Sequence, residues 1–142
     1  MKKSAAWAVA AVMLLCGKSA FCQTIVAHET ERTYFEDGNV TKYDGQFENT
    51  YYLDLEKNQL VRTRIYDYQR KKIVPDQTVY YIQRNLNSHP ANAGRYGLLP
   101  VVRGIGKPDA DTVEIVSISE QAVDTATSSA NRIVVAHAKI LK

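Results

Sequence analysis

Cysteine, methionine and tryptophan are nearly missing from this sequence, and the few present sit together. Cys16, Cys22, Met1, Met13 and Trp7 all fall within the first 22 residues. Residues 23–142 therefore carry no thiol, thioether or indole. That excludes from them a disulfide, a catalytic cysteine, a thiolate zinc site, an iron–sulfur cluster and methionine-ligated haem. Long apolar runs are as scarce. There is one, Ala5 to Cys16, and it is shorter than the roughly 20 residues needed to cross a bilayer.

That single run has a specific context. It follows Met1-Lys2-Lys3 and leads into Gly17-Lys18-Ser19-Ala20-Phe21-Cys22-Gln23. A short positive segment, an apolar stretch and small residues before a cut are the marks of a secretory signal peptide. The expectation is a leader over 1–22, cleaved before Gln23, and a single β-rich domain over 23–142 exported to the periplasm or secreted. Cys16 follows Leu15 and Cys22 follows Phe21, not the small residue that lipid attachment prefers, so a lipoprotein is not expected. The Met-Lys-Lys start has a bacterial look. No membrane span is expected in the mature chain.

An excess of charge is also absent once the leader is set aside. The full chain has 18 basic and 15 acidic residues. Lys2, Lys3 and Lys18 belong to the leader, which leaves fifteen of each sign. A nucleic-acid-binding domain shows a basic surplus, so nucleic acid is not an expected partner. About 120 residues without disulfides must be held by their core, which is ample for independent folding.

What the chain has is tyrosine, valine, isoleucine and threonine in short alternating segments, the pattern of strands. Strands are predicted near 30–36, 40–45, 50–56, 60–69, 77–85, 98–103, 112–119, 122–127 and 132–141, with 120–129 readable as a short helix instead. Glu36-Asp37-Gly38-Asn39 is a strong hairpin signal. Lys57-Asn58, Pro75-Asp76, Lys107-Pro108-Asp109 and Ser128-Ser129-Ala130-Asn131 are weaker turns, and 87–97 is the longest irregular stretch. Short links between successive strands imply an antiparallel meander, and eight or nine strands remove their edges by closing. The expected fold is all-β, a small antiparallel up-and-down meander closing into a barrel, with a β-sandwich as the alternative. In size and connectivity it resembles calycin barrels in outline, without the glycine-x-tryptophan start of lipocalins.

One hairpin suggests a site. Pairing Leu55 with Val61 sets Asp54 beside Arg62 and Tyr52 beside Arg64. Arg62, Arg64, Tyr66 and Tyr68 then share one face, and Tyr80 (Tyr81 in the other register) and Arg84 in the next strand extend it. Facing inward, the row would offer forked donors and phenols to an acidic ligand; facing outward, it would be a solvated surface. The nine tyrosines suit strands and binding surfaces alike.

Other constellations carry less. His28, His89 and His137 are scattered and fit no metal spacing, and His137 alternates with Val135 and Ile133 as a half-buried residue would. Asp109-Ala110-Asp111 lacks the glycine and late glutamate of a calcium loop. Gly104-Ile105-Gly106-Lys107 matches no phosphate-binding loop, and no nucleophile elbow is present. Asn39-Val40-Thr41 is a glycosylation sequon. No cofactor or metal is expected. The leading expectation is a non-enzymatic exported module binding a small amphipathic or acidic molecule. An envelope protein-interaction or inhibitor module is the alternative, and a carboxylate-based hydrolase or isomerase comes third.

Overall fold

The computed structural model describes residues 22–83 and 102–142, apart from the side chain of Gln83. Nine strands follow one another: β1 Cys22–Glu36, β2 Asn39–Asp44, β3 Phe47–Asp54, β4 Gln59–Asp67, β5 Lys72–Gln83, β6 Val102–Asp109, β7 Thr112–Ile118, β8 Ala122–Ser128 and β9 Arg132–Ile140. All pairings are antiparallel, and the order is β2-β1-β3-β4-β5-β6-β7-β8-β9 with β9 returning to β1. Eight strands thus close a barrel and β2 is an extra one. The barrel stands and the sandwich does not. Segment 120–129 is strand β8 and its flanking turns, not a helix. Residues 1–21 of the leader, the 87–97 stretch, His89 and Arg84 lie outside the described residues, while Cys22 opens β1.

β1 is long because it serves three neighbours. Its 27–36 portion pairs with β9 along one edge, while the other edge pairs first with β3 and then with β2. A bulge at Thr30 marks the changeover. The chain crosses from β2 to β3 there through Gly45, whose N–H donates to the Thr30 carbonyl at 3.1 Å. A Cβ on Gly45 would stand 1.6 Å from the Glu29 carbonyl oxygen, so only glycine passes. The β1–β2 turn is the predicted hairpin, with Asp37 at φ 51° and Gly38 at φ 76°, the left-handed pair of a type I′ turn.

Pro75-Asp76 is not a turn. It lies inside β5 at a register shift against β4, where a strand tolerates proline. The β3–β4 register also differs from the expected one. Asp54 pairs with Gln59, Tyr52 with Val61 and Tyr51 with Arg62. A four-residue turn closed by left-handed Asn58 (φ 51°) sets this frame. Asp54 accepts the Lys57 N–H at 3.0 Å, which occupies it in the turn instead of beside Arg62.

The barrel interior divides into two halves. At the end where β1 begins, Ile25, Leu53, Leu60, Val116, Ile118 and Val123 are buried to within 2 %. Each such burial contributes about 1.5–3 kcal/mol. Tyr80 fits among them because β6 has no side chains beneath its ring: a Cβ on Gly104 or Gly106 would come within 2.8 or 2.6 Å of Tyr80 atoms. The Gly104-Ile105-Gly106 motif is therefore a packing device. The other half of the interior is polar.

Candidate functional site

Beyond Tyr80, toward the β1–β2 and β4–β5 turns, inward positions change character. β7 continues its inward alternation from Ile118 through Val116 to Glu114, and β1 runs from Ile25 through Ala27 to Glu29. Past its bulge β1 turns Arg32 and Tyr34 inward, where with Asn49, Arg62, Thr127 and Arg132 they line a cavity of about 650 Å³. Ile65, Phe47 and Val74 give it an apolar flank.

Glu114 organises its floor. The carboxylate accepts from Arg62 Nη1 at 2.6 Å, from Thr127 Oγ1 at 2.7 Å, and from the Tyr80 hydroxyl. Arg62 also donates through Nη2 to Asp76 at 3.1 Å, and its guanidinium lies 5.7 Å from the Tyr80 ring centre. Burial alone would favour loss of the Arg62 proton, but Glu114, Tyr80, Tyr51 and Asp76 together outweigh it and hold the guanidinium charged. Burial is the largest influence on Tyr51 and Tyr80, and it raises both phenols well above their usual range. Both stay neutral donors at any physiological pH.

Arg62 lines the cavity, whereas Tyr51 is fully buried and does not. Tyr51 stands opposite Arg62 across β3–β4, and the guanidinium acts on its phenol through both charge and a side-chain hydrogen bond.

A second pair holds the wall. Arg32 grips Glu29 with Nε at 2.8 Å and Nη2 at 2.7 Å, and Glu29 also accepts the Gln46 N–H at 3.2 Å. Although burial pulls the other way, the Glu29 hydrogen bonds and charge raise the Arg32 proton affinity. Arg32 lies 4.7 Å from the Phe47 ring centre. At the rim Arg132 sits 5.8 Å from the Tyr34 ring centre and makes no ion pair among the described residues.

The predicted row does not survive as one face. β4 carries an extra residue at Thr63: consecutive residues Tyr51 and Thr50 of β3 pair with Arg62 and Arg64. Inward positions thus pass from Leu60 and Arg62 to Ile65 and Asp67, while Arg64, Tyr66 and Tyr68 turn to the outer wall. There Tyr68 donates to Glu48 at 2.8 Å and meets the Tyr66 and His28 rings edge-on at 4.9 and 5.0 Å. Arg64 lies 4.0 Å from Glu48. Of the described members of the predicted set, Arg62 and Tyr80 enter the interior and are brought together.

Sequence reading missed Glu114, Glu29, Arg32 and Asp76. A signal existed in the parity of Glu114-x-Val116-x-Ile118, but Val113-x-Ile115 competes with it and points the other way. His137 shares its face with Ile133 and Val135 as read, but that face is outside. It is exposed and bonded to Asp124 at 2.5 Å, while Val134, Ala136 and Ala138 point inward. Asp109 accepts the Asp111 N–H at 3.0 Å in a hairpin tip. Among the described residues no three His, Cys, Asp or Glu side chains cluster as metal ligands would, and no helix is long and apolar enough to cross a membrane. A groove of about 790 Å³ on the outer wall, flanked by Pro75, Val79, Ile105 and Pro108, gathers no comparable network.

Comparison with known proteins returned no matching family model, no matching curated protein and no matching solved structure.

Proposed function

We propose that the protein is exported to the periplasm or secreted, and that the polar half of its barrel binds a small amphipathic or acidic molecule without transforming it. One observation carries this reading. A cavity of about 650 Å³ lies among charged and aromatic side chains, in a barrel whose other half is filled. That volume falls in the roughly 300–1,000 Å³ range of small-molecule sites. Buried ion pairs hold a fold no better than apolar residues of equal volume, so a polar lining supports recognition more than stability.

The ligand has a place for each of its parts. An acceptor oxygen at the floor faces the Arg32 and Arg62 guanidiniums, which line the cavity. An apolar body rests on Phe47, Ile65 and Val74, and an acidic group at the rim meets Arg132. Glu114 and Glu29 are each engaged by an arginine, which leaves neither as a free base and favours binding over hydrolysis. Export rests on the leader pattern of residues 1–22.

Native mass spectrometry of the protein purified from its export compartment tests this. The expected result is a reproducible added mass that is lost on denaturation, weakened at least tenfold in occupancy by Arg132→Gln or Tyr34→Ala, and retained in Arg64→Ala. A bare protein mass, or loss of the adduct only in the Arg64 variant, contradicts the interior site.

A further inference from the structure

Beside the polar cavity the barrel wall has a seam. β5 pairs with β4 from Lys72 to Tyr81, across one register shift, but with β6 only from Tyr80 to Gln83. From Lys72 to Val79 it has no strand partner on its other side among the described residues. β6 turns away there, and its ladder with β7 is broken between Gly106 and Asp109. The sequence keeps the two lips apart. Pro75 stands on one and Pro108 on the other, and a proline has no N–H to give a ladder.

Two spaces meet at this seam. Outside it lies the groove of about 790 Å³, whose apolar lining is Pro75, Val79, Tyr81, Ile105, Pro108 and Val113. Inside lies the cavity of about 650 Å³, which Val74 and Pro108 also line. Pro108 thus borders both. Asp76 joins them by its reach: it lines the groove, yet its carboxylate holds Arg62 of the cavity at 3.1 Å. Here the wall consists of side chains, not of a hydrogen-bonded ladder.

The chemistry of the two spaces is complementary. Arg32, Arg62 and Arg132 line the inner one, and guanidiniums are the natural partners of an acid group. The outer one leaves Tyr81 65 % and Val113 39 % exposed, apolar surface that gains from being covered. An apolar chain coiled wholly inside would strip water from charged side chains and offer them nothing in return. From this we infer that cavity and groove are two compartments of one site, whose ligand is an acid carrying an apolar chain. The acid group sits among the arginines, and the chain passes between Pro108 and the Asp76–Arg62 pair into the groove. The inference rests on the interior binding site proposed above and adds the class of ligand. From Pro75 to Tyr81 the groove runs roughly 20 Å, at about 3.4 Å per strand residue, so long chains gain from it and short ones do not.

Isothermal titration calorimetry of the exported protein with hexanoate, decanoate and tetradecanoate, each below its micelle concentration, tests it. In the wild type affinity rises at least tenfold at each step, within the ceiling of about fourfold for every CH₂ buried. Tyr81→Asp and Val113→Asp, both at exposed positions, keep the melting temperature and the hexanoate affinity but lose tenfold or more for tetradecanoate. Arg132→Gln weakens all three acids alike. A gain with chain length that both groove variants retain places the chain inside and overturns the inference, while the interior site stands. Hexanoate bound as tightly as tetradecanoate does the same. Binding of none of the three overturns the inference whatever native mass spectrometry finds, so the two readings fail separately.

Discussion

At the residue scale the barrel turns on one arginine. Arg62 is 7 % exposed and neutralises two carboxylates, Glu114 and Asp76. Removing one partner of a buried ion pair strands the others, at about 3–5 kcal/mol. Arg62→Ala should therefore lower stability by that amount in urea denaturation. Arg64→Ala should cost less than about 1 kcal/mol, because its partner Glu48 is 4.0 Å away and the Arg64 side chain is 42 % exposed. Two arginines two residues apart are thus predicted to differ severalfold. A sequence reading that put both on one face has no basis for separating them. Similar losses in the two variants would contradict the bulge between them.

At the element scale, turns were legible and bulges were not. Asp37-Gly38 identifies its hairpin because a type I′ turn needs left-handed residues, a local requirement visible in composition. The extra residue at Thr63 answers to the twist of β3, β4 and β5 together, and no local pattern announces it. One such residue reverses the facing of everything after it, which is why Tyr66 and Tyr68 left the predicted site. β6 shows a related limit. Of the predicted 98–103 strand, residues 102 and 103 fall in β6, which runs on to Asp109; that continuation is not legible, since two glycines and a proline argue against a strand until Tyr80 is seen to need the space.

The β4–β5 turn carries a pH dependence of its own. Asp67 accepts the N–H groups of Gln69 and Arg70 at 2.9 and 3.0 Å and the Gln46 side chain at 3.2 Å. Desolvation opposes its ionisation, yet these bonds together lower its proton affinity. A carboxyl lowered on folding stabilises fully above its unfolded pKa of about 3.9 and loses that contribution as pH falls through the lower folded value. Melting temperature followed from pH 5 down to pH 2 should therefore drop less steeply in Asp67→Asn than in the wild type. Parallel curves would show that Asp67 does not set the acid limb.

At the scale of the whole molecule, the class of fold and its antiparallel order follow from alternation and turn spacing, and the barrel closure bears that reading out. What alternation could not supply is the change of character halfway along the barrel. One end is apolar inside. The other is polar inside and apolar outside, and both halves of each strand satisfy the same period of two. Only the closure of β1 on β9 decides which face is interior. That closure also brings Arg32, Arg62, Glu114 and Arg132 from four strands into one cavity.

The central claim is that this cavity receives a small acidic or amphipathic ligand among Arg32, Arg62 and Arg132, which line it. A high-resolution crystal structure of the protein purified from its own export compartment tests it most directly. The account predicts continuous non-water density in the cavity, with an oxygen within hydrogen-bond reach of one of these guanidiniums. Isolated water peaks there and throughout the cavity would contradict it.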